Sequence, residues 1–168
     1  MFVCVVEDAG PYLPNRLSAL VPLALAHPDA PLVYARGNSI GPDGNVRKVF
    51  GMPFNRMMLF YRPLFYWQAS LIRTRVRELG CAFDPQLSIM EDIDFVRQIA
   101  DHGNFIYSDA ITFNFRSDIG TSGTGTGGNR DFARIRRFDN LLSAKWVSQR
   151  IIYGRRPTAG CKAAIAAY

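Results

Sequence analysis

The sequence predicts an α/β fold, a mixed sheet flanked by helices and followed by a C-terminal helix. Three observations lead there. Phe2-Val3-Cys4-Val5-Val6 is a short apolar run, mostly β-branched, of the kind that forms a buried strand. Further strand-like runs then alternate with stretches of helical period. Acidic residues fall at the junctions, with Glu7-Asp8 directly after the first strand and Glu91-Asp92-Ile93-Asp94 opening a later helix. Carboxylates leaving the C-terminal end of a buried strand stand where open α/β sheets bind ligands, so both clusters are expected to build one site. Carboxylates set between apolar neighbours are also costly to bury without a proton, a metal or a cationic partner.

Taken in order, Ala9-Gly10-Pro11 reads as a turn and Leu13 to Ala26 as a helix interrupted by Pro22, with Leu13, Leu17, Leu20, Val21 and Leu25 near one face. His27-Pro28 ends it, and Leu32-Val33-Tyr34-Ala35 is the next strand. Gly41-Pro42-Asp43-Gly44-Asn45 has the residues a tight turn demands, which predicts a hairpin from about Val33 to Val49. The stretch from Asn55 to Trp67 crowds Phe60, Tyr61, Phe65, Tyr66 and Trp67 together, as core or as the wall of an acceptor pocket. Thr74 to Leu79 is a short helix stopped by Gly80. Glu91 to His102 is a longer one stopped by Gly103, its first-turn acids favoured by the helix dipole. Phe105–Tyr107 and Ile111–Phe115 read as two strands, and the glycine-rich run 120–128 as a flexible loop. Asp131 to Arg150 is a basic amphipathic helix. Its apolar side is Phe132, Ile135, Phe138, Leu142 and Trp146, and its polar side Arg134, Arg136, Arg137, Lys145 and Arg150.

A chain of 168 residues with 48% hydrophobic content has the size and core of one domain, placed at residues 1–150, with a tail at 151–168 expected to be poorly ordered. The net charge of +6 favours an anionic partner such as a nucleotide diphosphate, nucleic acid or an anionic membrane surface. Cys4, Cys81 and Cys161 are widely spaced, without a CxxC pair, which points to reduced thiols in the cytoplasm. The N-terminus lacks a signal-peptide pattern, and the densest apolar stretch, Met57 to Ile72, is broken by Arg62, Pro63 and Gln68. The expected setting is therefore cytoplasmic, free or at the inner membrane surface. His27 and His102 have no Ser or Cys partner near them in the sequence, and the glycine-rich run lacks the GxxxxGK[ST] order of a P-loop.

In this order the pieces from about Val3 to Arg116 resemble the C-terminal half of a family-2 glycosyltransferase domain. That family has the GT-A fold, so the implied architecture is a partial, Rossmann-like mixed sheet. The resemblance rests on the strand ending in Glu7-Asp8, Tyr12-Leu13-Pro14 at a helix entry, His27-Pro28, Val33-Tyr34 and the Asp43-Gly44 turn. It continues through Gly80 to Leu87, with an extra residue before Phe83, then Glu91-Asp92-Ile93-Asp94-Phe95, Gly103 and Phe115-Arg116. Three departures stand beside it. The nucleotide-binding portion that precedes the acidic strand in the family has no counterpart here, Gly10-Pro11 stand where a further carboxylate is common, and Ser117-Asp118 where a His is common.

The resemblance implies transfer of a sugar from a nucleotide-diphosphate donor to an acceptor hydroxyl with inversion, by a chain that is inactive alone if truncated. It makes Asp92 the base and Glu91 its acceptor-positioning neighbour, with Asp94 structural and paired within its helix. It also makes Glu7, Asp8 and Asp118 ligands for Mg²⁺ or Mn²⁺. Arg116 and Arg130 are expected at the diphosphate, and Trp67 and Gln68 at the acceptor, a glycan, lipid or other hydroxyl compound. A missing half would leave a sheet edge for a second copy or another partner to cover. Two other readings remain open. One is a non-catalytic remnant, and the other a basic module for an anionic membrane or, with no recognised motif in its favour, nucleic acid.

Overall fold

β2, Leu32–Ile40, is the centre of the molecule. Leu32, Val33, Tyr34 and Ala35 are all buried, so this strand is covered on both faces. In the computed structural model, which describes residues 1–4, 10–116 and 132–146, a five-stranded mixed sheet is flanked by three helices. The fold is α/β, compatible with the partial Rossmann-like sheet expected from the sequence. β1 (Phe2–Val3) is followed by α1 (Arg16–Ala26), and β2 by its hairpin partner β3 (Val46–Phe50). Then come β4 (Ser70–Arg73), α2 (Glu91–Ala100), β5 (Ile106–Arg116) and α3 (Phe132–Lys145).

One edge of β2 is shared. Its beginning pairs antiparallel with β4 (Leu32 with Ile72, Tyr34 with Ser70) and its end antiparallel with β3 (Gly37 with Phe50, Asn38 with Val49). β1 adds to the outside of β4. The other edge pairs in parallel with β5 from Val33–Ile106 to Ile40–Arg116. The outer edge of β5 is capped by the chain at residues 11–15. Leu13 N–H donates to Thr112 O at 3.0 Å, Asn114 N–H to Pro11 O at 3.1 Å, and the Asn15 amide to Ile111 O at 3.0 Å. Gly10 makes that approach possible. With φ at +151° and a notional Cβ only 1.9 Å from Asn114 O, the position accepts glycine alone.

The hairpin turn forms as its chemistry dictates, with Asp43 Oδ1 accepting from Asn45 N at 3.1 Å. Four expectations change. The two strands after α2 are one, β5, because Ser108, Asp109 and Ala110 bulge out opposite Ala35 instead of ending the ladder. The helix expected from Leu13 starts at Arg16, since Leu13 is held in the cap on β5. Its inner face is Arg16, Leu20 and Ala24, while Leu17 and Leu25 are exposed. The short helix after β4 is one 3₁₀ turn, Thr74–Val76. Gly80 still stops it, at φ +85°, with paired bonds from Cys81 N to Val76 O and Gly80 N to Arg77 O. β4 itself was not expected.

The largest core cluster lies between sheet and α2, where Tyr34 stacks on Phe65 at 4.2 Å and meets Phe105 edge-on, in one cluster with Phe95, Val96 and Ile99. α1 packs Leu20 and Ala24 on Val33, Ala35 and Leu71 of the sheet. α3 sets Phe138, Leu142 and Trp146 against Phe60, Leu87 and Ile89, whereas Phe132, read as part of the same face, is 69% exposed. Each such fully buried side chain contributes about 1.5–3 kcal/mol. No helix among the described residues is long and apolar enough to cross a membrane. The glycine-rich run and the tail at 151–168 lie outside the described residues.

Candidate functional site

α2 begins abruptly. Met90 sits in the left-handed region at φ +63° and its carbonyl accepts from Asp94 N at 3.1 Å, so the acids fall at once into the first turn. Free N–H groups and the positive end of the helix dipole favour their charge. α2 joins β5 through five residues, Asp101 to Phe105, and its acidic end is the one away from the start of β5.

The three carboxylates do different things. Glu91 and Asp92 are partly exposed, and Asp94 is fully buried. Asp92 Oδ1 accepts from Ile93 N at 2.8 Å, and the side chain lines a pocket with Leu59, Leu64, Phe65, Trp67 and Val96. The pocket measures about 20 Å³, room for roughly one water. Trp67 forms its wall and is itself held edge-on by Phe83 and Phe95, at 6.4 and 5.7 Å. Gln68, next along the chain, is 5% exposed. Arg116 ends β5 opposite Ile40 and is exposed. Tyr66 stacks on Phe115 at 4.9 Å and so holds the segment leading into Trp67 against the end of β5. Trp67 follows Tyr66 and Arg116 follows Phe115 in the chain, so the Tyr66–Phe115 contact ties the segment beside the Asp92 pocket to the end of β5.

Asp94 joins two helices. Its Oδ2 accepts from Gln98 Nε2 within α2 at 2.7 Å and from Lys145 Nζ of α3 at 2.9 Å, while Oδ1 accepts from Trp146 Nε1 at 2.8 Å. Lys145 also reaches Asp84 at 2.7 Å. The pairing expected within the helix is present through Gln98. The larger part, Lys145 and Trp146, was missed because Trp146 was read only as an apolar residue. The available signal was Lys145-Trp146 side by side at the end of an amphipathic helix, an ammonium and an indole N–H within reach of one carboxylate.

The hydrogen bond from Lys145 holds the partly buried Asp84 carboxyl below its usual range, helped by Gln86 N–H. Burial works against the charge on Lys145, but its bonds to Asp84 and Asp94 outweigh that and raise its pKa. The signs give a pH window. A lowered carboxylate stabilises above its unfolded value of 3.8 and loses that as pH falls through the lower folded value. A raised ammonium stabilises fully below 10.5 and loses that as pH rises through the higher folded value. Trp146 emission is thus expected to stay constant between those limits and to shift to the red beyond both. A shift centred near neutrality would contradict this.

Glu7, Asp8, Asp118 and Arg130 lie outside the described residues. Among the described residues, no group of three or more His, Cys, Asp or Glu side chains is placed to hold a metal ion. A scan against protein-family models and a search of the curated proteins gave no match for this chain.

Proposed function

We propose that the chain is a glycosyltransferase-like protein of the GT-A type, moving a sugar from a nucleotide-diphosphate donor to an acceptor hydroxyl with inversion. The observation that carries the reading is the shared pocket of Asp92 and Trp67 at the acidic end of α2, with Tyr66, next to Trp67 in the chain, stacked on Phe115, next to Arg116. The Asp92 carboxylate takes the proton of the acceptor hydroxyl as its oxygen attacks the anomeric carbon. A carbon–oxygen bond forms on one face of the sugar, the bond to the diphosphate breaks on the other, and the nucleoside diphosphate leaves with the electron pair. Glu91 orients the acceptor, Trp67 forms its wall with the buried Gln68 next to it in the chain, and Arg116 and Arg130 meet the leaving charge.

A Mg²⁺ or Mn²⁺ ion held by Glu7, Asp8 and Asp118 would neutralise part of the diphosphate charge. Support comes from Gly10, two residues beyond Asp8, which lies against Asn114 at the same end of β5 as Arg116. The small volume of the Asp92 pocket favours a second reading, a non-catalytic relative that keeps the fold. Release of nucleoside diphosphate from uridine or guanosine diphospho-sugars with Mn²⁺, lost in Asp92→Asn, would support the first. Absence of release by the native chain would leave the second.

A further inference from the structure

The face of the sheet that α2 covers changes character part-way along. Leu32 and Tyr34 of β2 are buried there in the core cluster, and the next two side chains on that side of the strand are Arg36 and Asn38. Across the parallel ladder β5 brings Asn114 level with Asn38, and the Asn38 amide donates to Asn114 Oδ1 at 2.9 Å. That bond uses the side-chain oxygen of Asn114 and leaves its N–H donors without a partner among the described residues.

Arg36 is the unusual member of this group. Its stem is held by Gly51, where a notional Cβ would come 2.9 Å from Arg36 Cα and 3.1 Å from its Cγ, so the missing side chain leaves the space that the arginine crosses. Nε is buried without a hydrogen-bond partner, and among the described residues the guanidinium takes part in no ion pair or ring contact. The residue is only partly exposed, so its charge has lost part of its hydration and gained no carboxylate. Arg36 and Asn114 stand two positions apart along the strands, about 6.6 Å, on neighbours about 4.8 Å apart. A guanidinium fork and an amide, donors both, at that spacing suit a group that only accepts and carries negative charge. We propose that Arg36, with the Asn114 amide, binds the oxyanion group of a ligand, a phosphate or a carboxylate, on the α2 side of the sheet. The proposal does not depend on the transferase reading.

Thermal unfolding of the full chain in chloride, phosphate and acetate at equal ionic strength tests it. The melting temperature is expected to rise saturably, by at least about 3 °C, with phosphate, acetate or both, and whichever acts names the anion. R36M keeps an unbranched stem over Gly51, so it is expected to retain the native far-UV circular dichroism and to lose the rise. R36K keeps the charge without the fork and N114A removes the amide donor, and each should raise the half-saturating concentration by at least about fivefold. In ¹⁵N-labelled protein, the arginine Nε–H signal that is missing from R36K should shift with the same half-saturating concentration. No rise with either anion would overturn the proposal, as would an equal rise in R36M, which marks exclusion of the salt from the whole surface. Should R36M not fold, an R36K titration identical to the native one has the same force.

Discussion

Replacing Asp94 by alanine is expected to destabilise the protein by about 3 kcal/mol and to release α3 from α2. Asp94 has no exposed surface, and it accepts bonds from Gln98, Lys145 and Trp146. Removing it leaves the indole N–H without its partner in an apolar cluster and Lys145 without one of its two carboxylates. The figure is at the low end for a broken buried pair because the Lys145 side chain is 37% exposed and recovers part of its hydration. Asp94→Asn keeps an oxygen for Trp146 but not the charge for Lys145, and it should cost about half as much. Urea unfolding followed by tryptophan emission measures both. Equal, small losses for the two variants would show that the bonds from α3 contribute little.

Asp92→Asn should behave in the opposite way, sparing the fold and removing the chemistry. The substitution is isosteric, and the new side-chain oxygen can still accept from Ile93 N. Partial exposure of the site limits the change in stability to about 0.5 kcal/mol. Loss of a general base lowers turnover by about 10²–10⁴-fold. A pair of rates and melts on the same preparation decides the point. Unchanged turnover would remove Asp92 from the reaction, and a large drop in melting temperature would make it a structural residue.

The parts of this fold that were legible in the sequence are those fixed by local chemistry. Asp43 and Gly44 announce the turn between β2 and β3 because side-chain capping and glycine geometry act within four residues. Gly80 and the acids of α2 announce helix ends for the same reason. β4 was hidden because Ser70-Leu71-Ile72-Arg73 is short, follows a crowd of aromatic residues and becomes a strand only by pairing with the start of β2. The inner face of α1 was misread since Arg16 is drawn inward by Ser70 O at 3.0 Å and by the ring of Tyr12, which no helical period reveals. At the candidate site, charge singled out the cluster Glu91-Asp92-Ile93-Asp94, and the resemblance chose Asp92 within it. They could not show that Asp94 would be spent on Lys145 and Trp146, because that depends on where α3 docks.

The decisive experiment is calorimetric titration of the full chain with uridine and guanosine diphospho-sugars, with and without Mn²⁺, repeated on Asp8→Asn. Donor binding that requires the cation and disappears in the variant is the expected result, because it would join the acids after the first strand to the nucleotide diphosphate. Heat that is indifferent to Mn²⁺, or none with either sugar nucleotide, would contradict a transferase site on this chain.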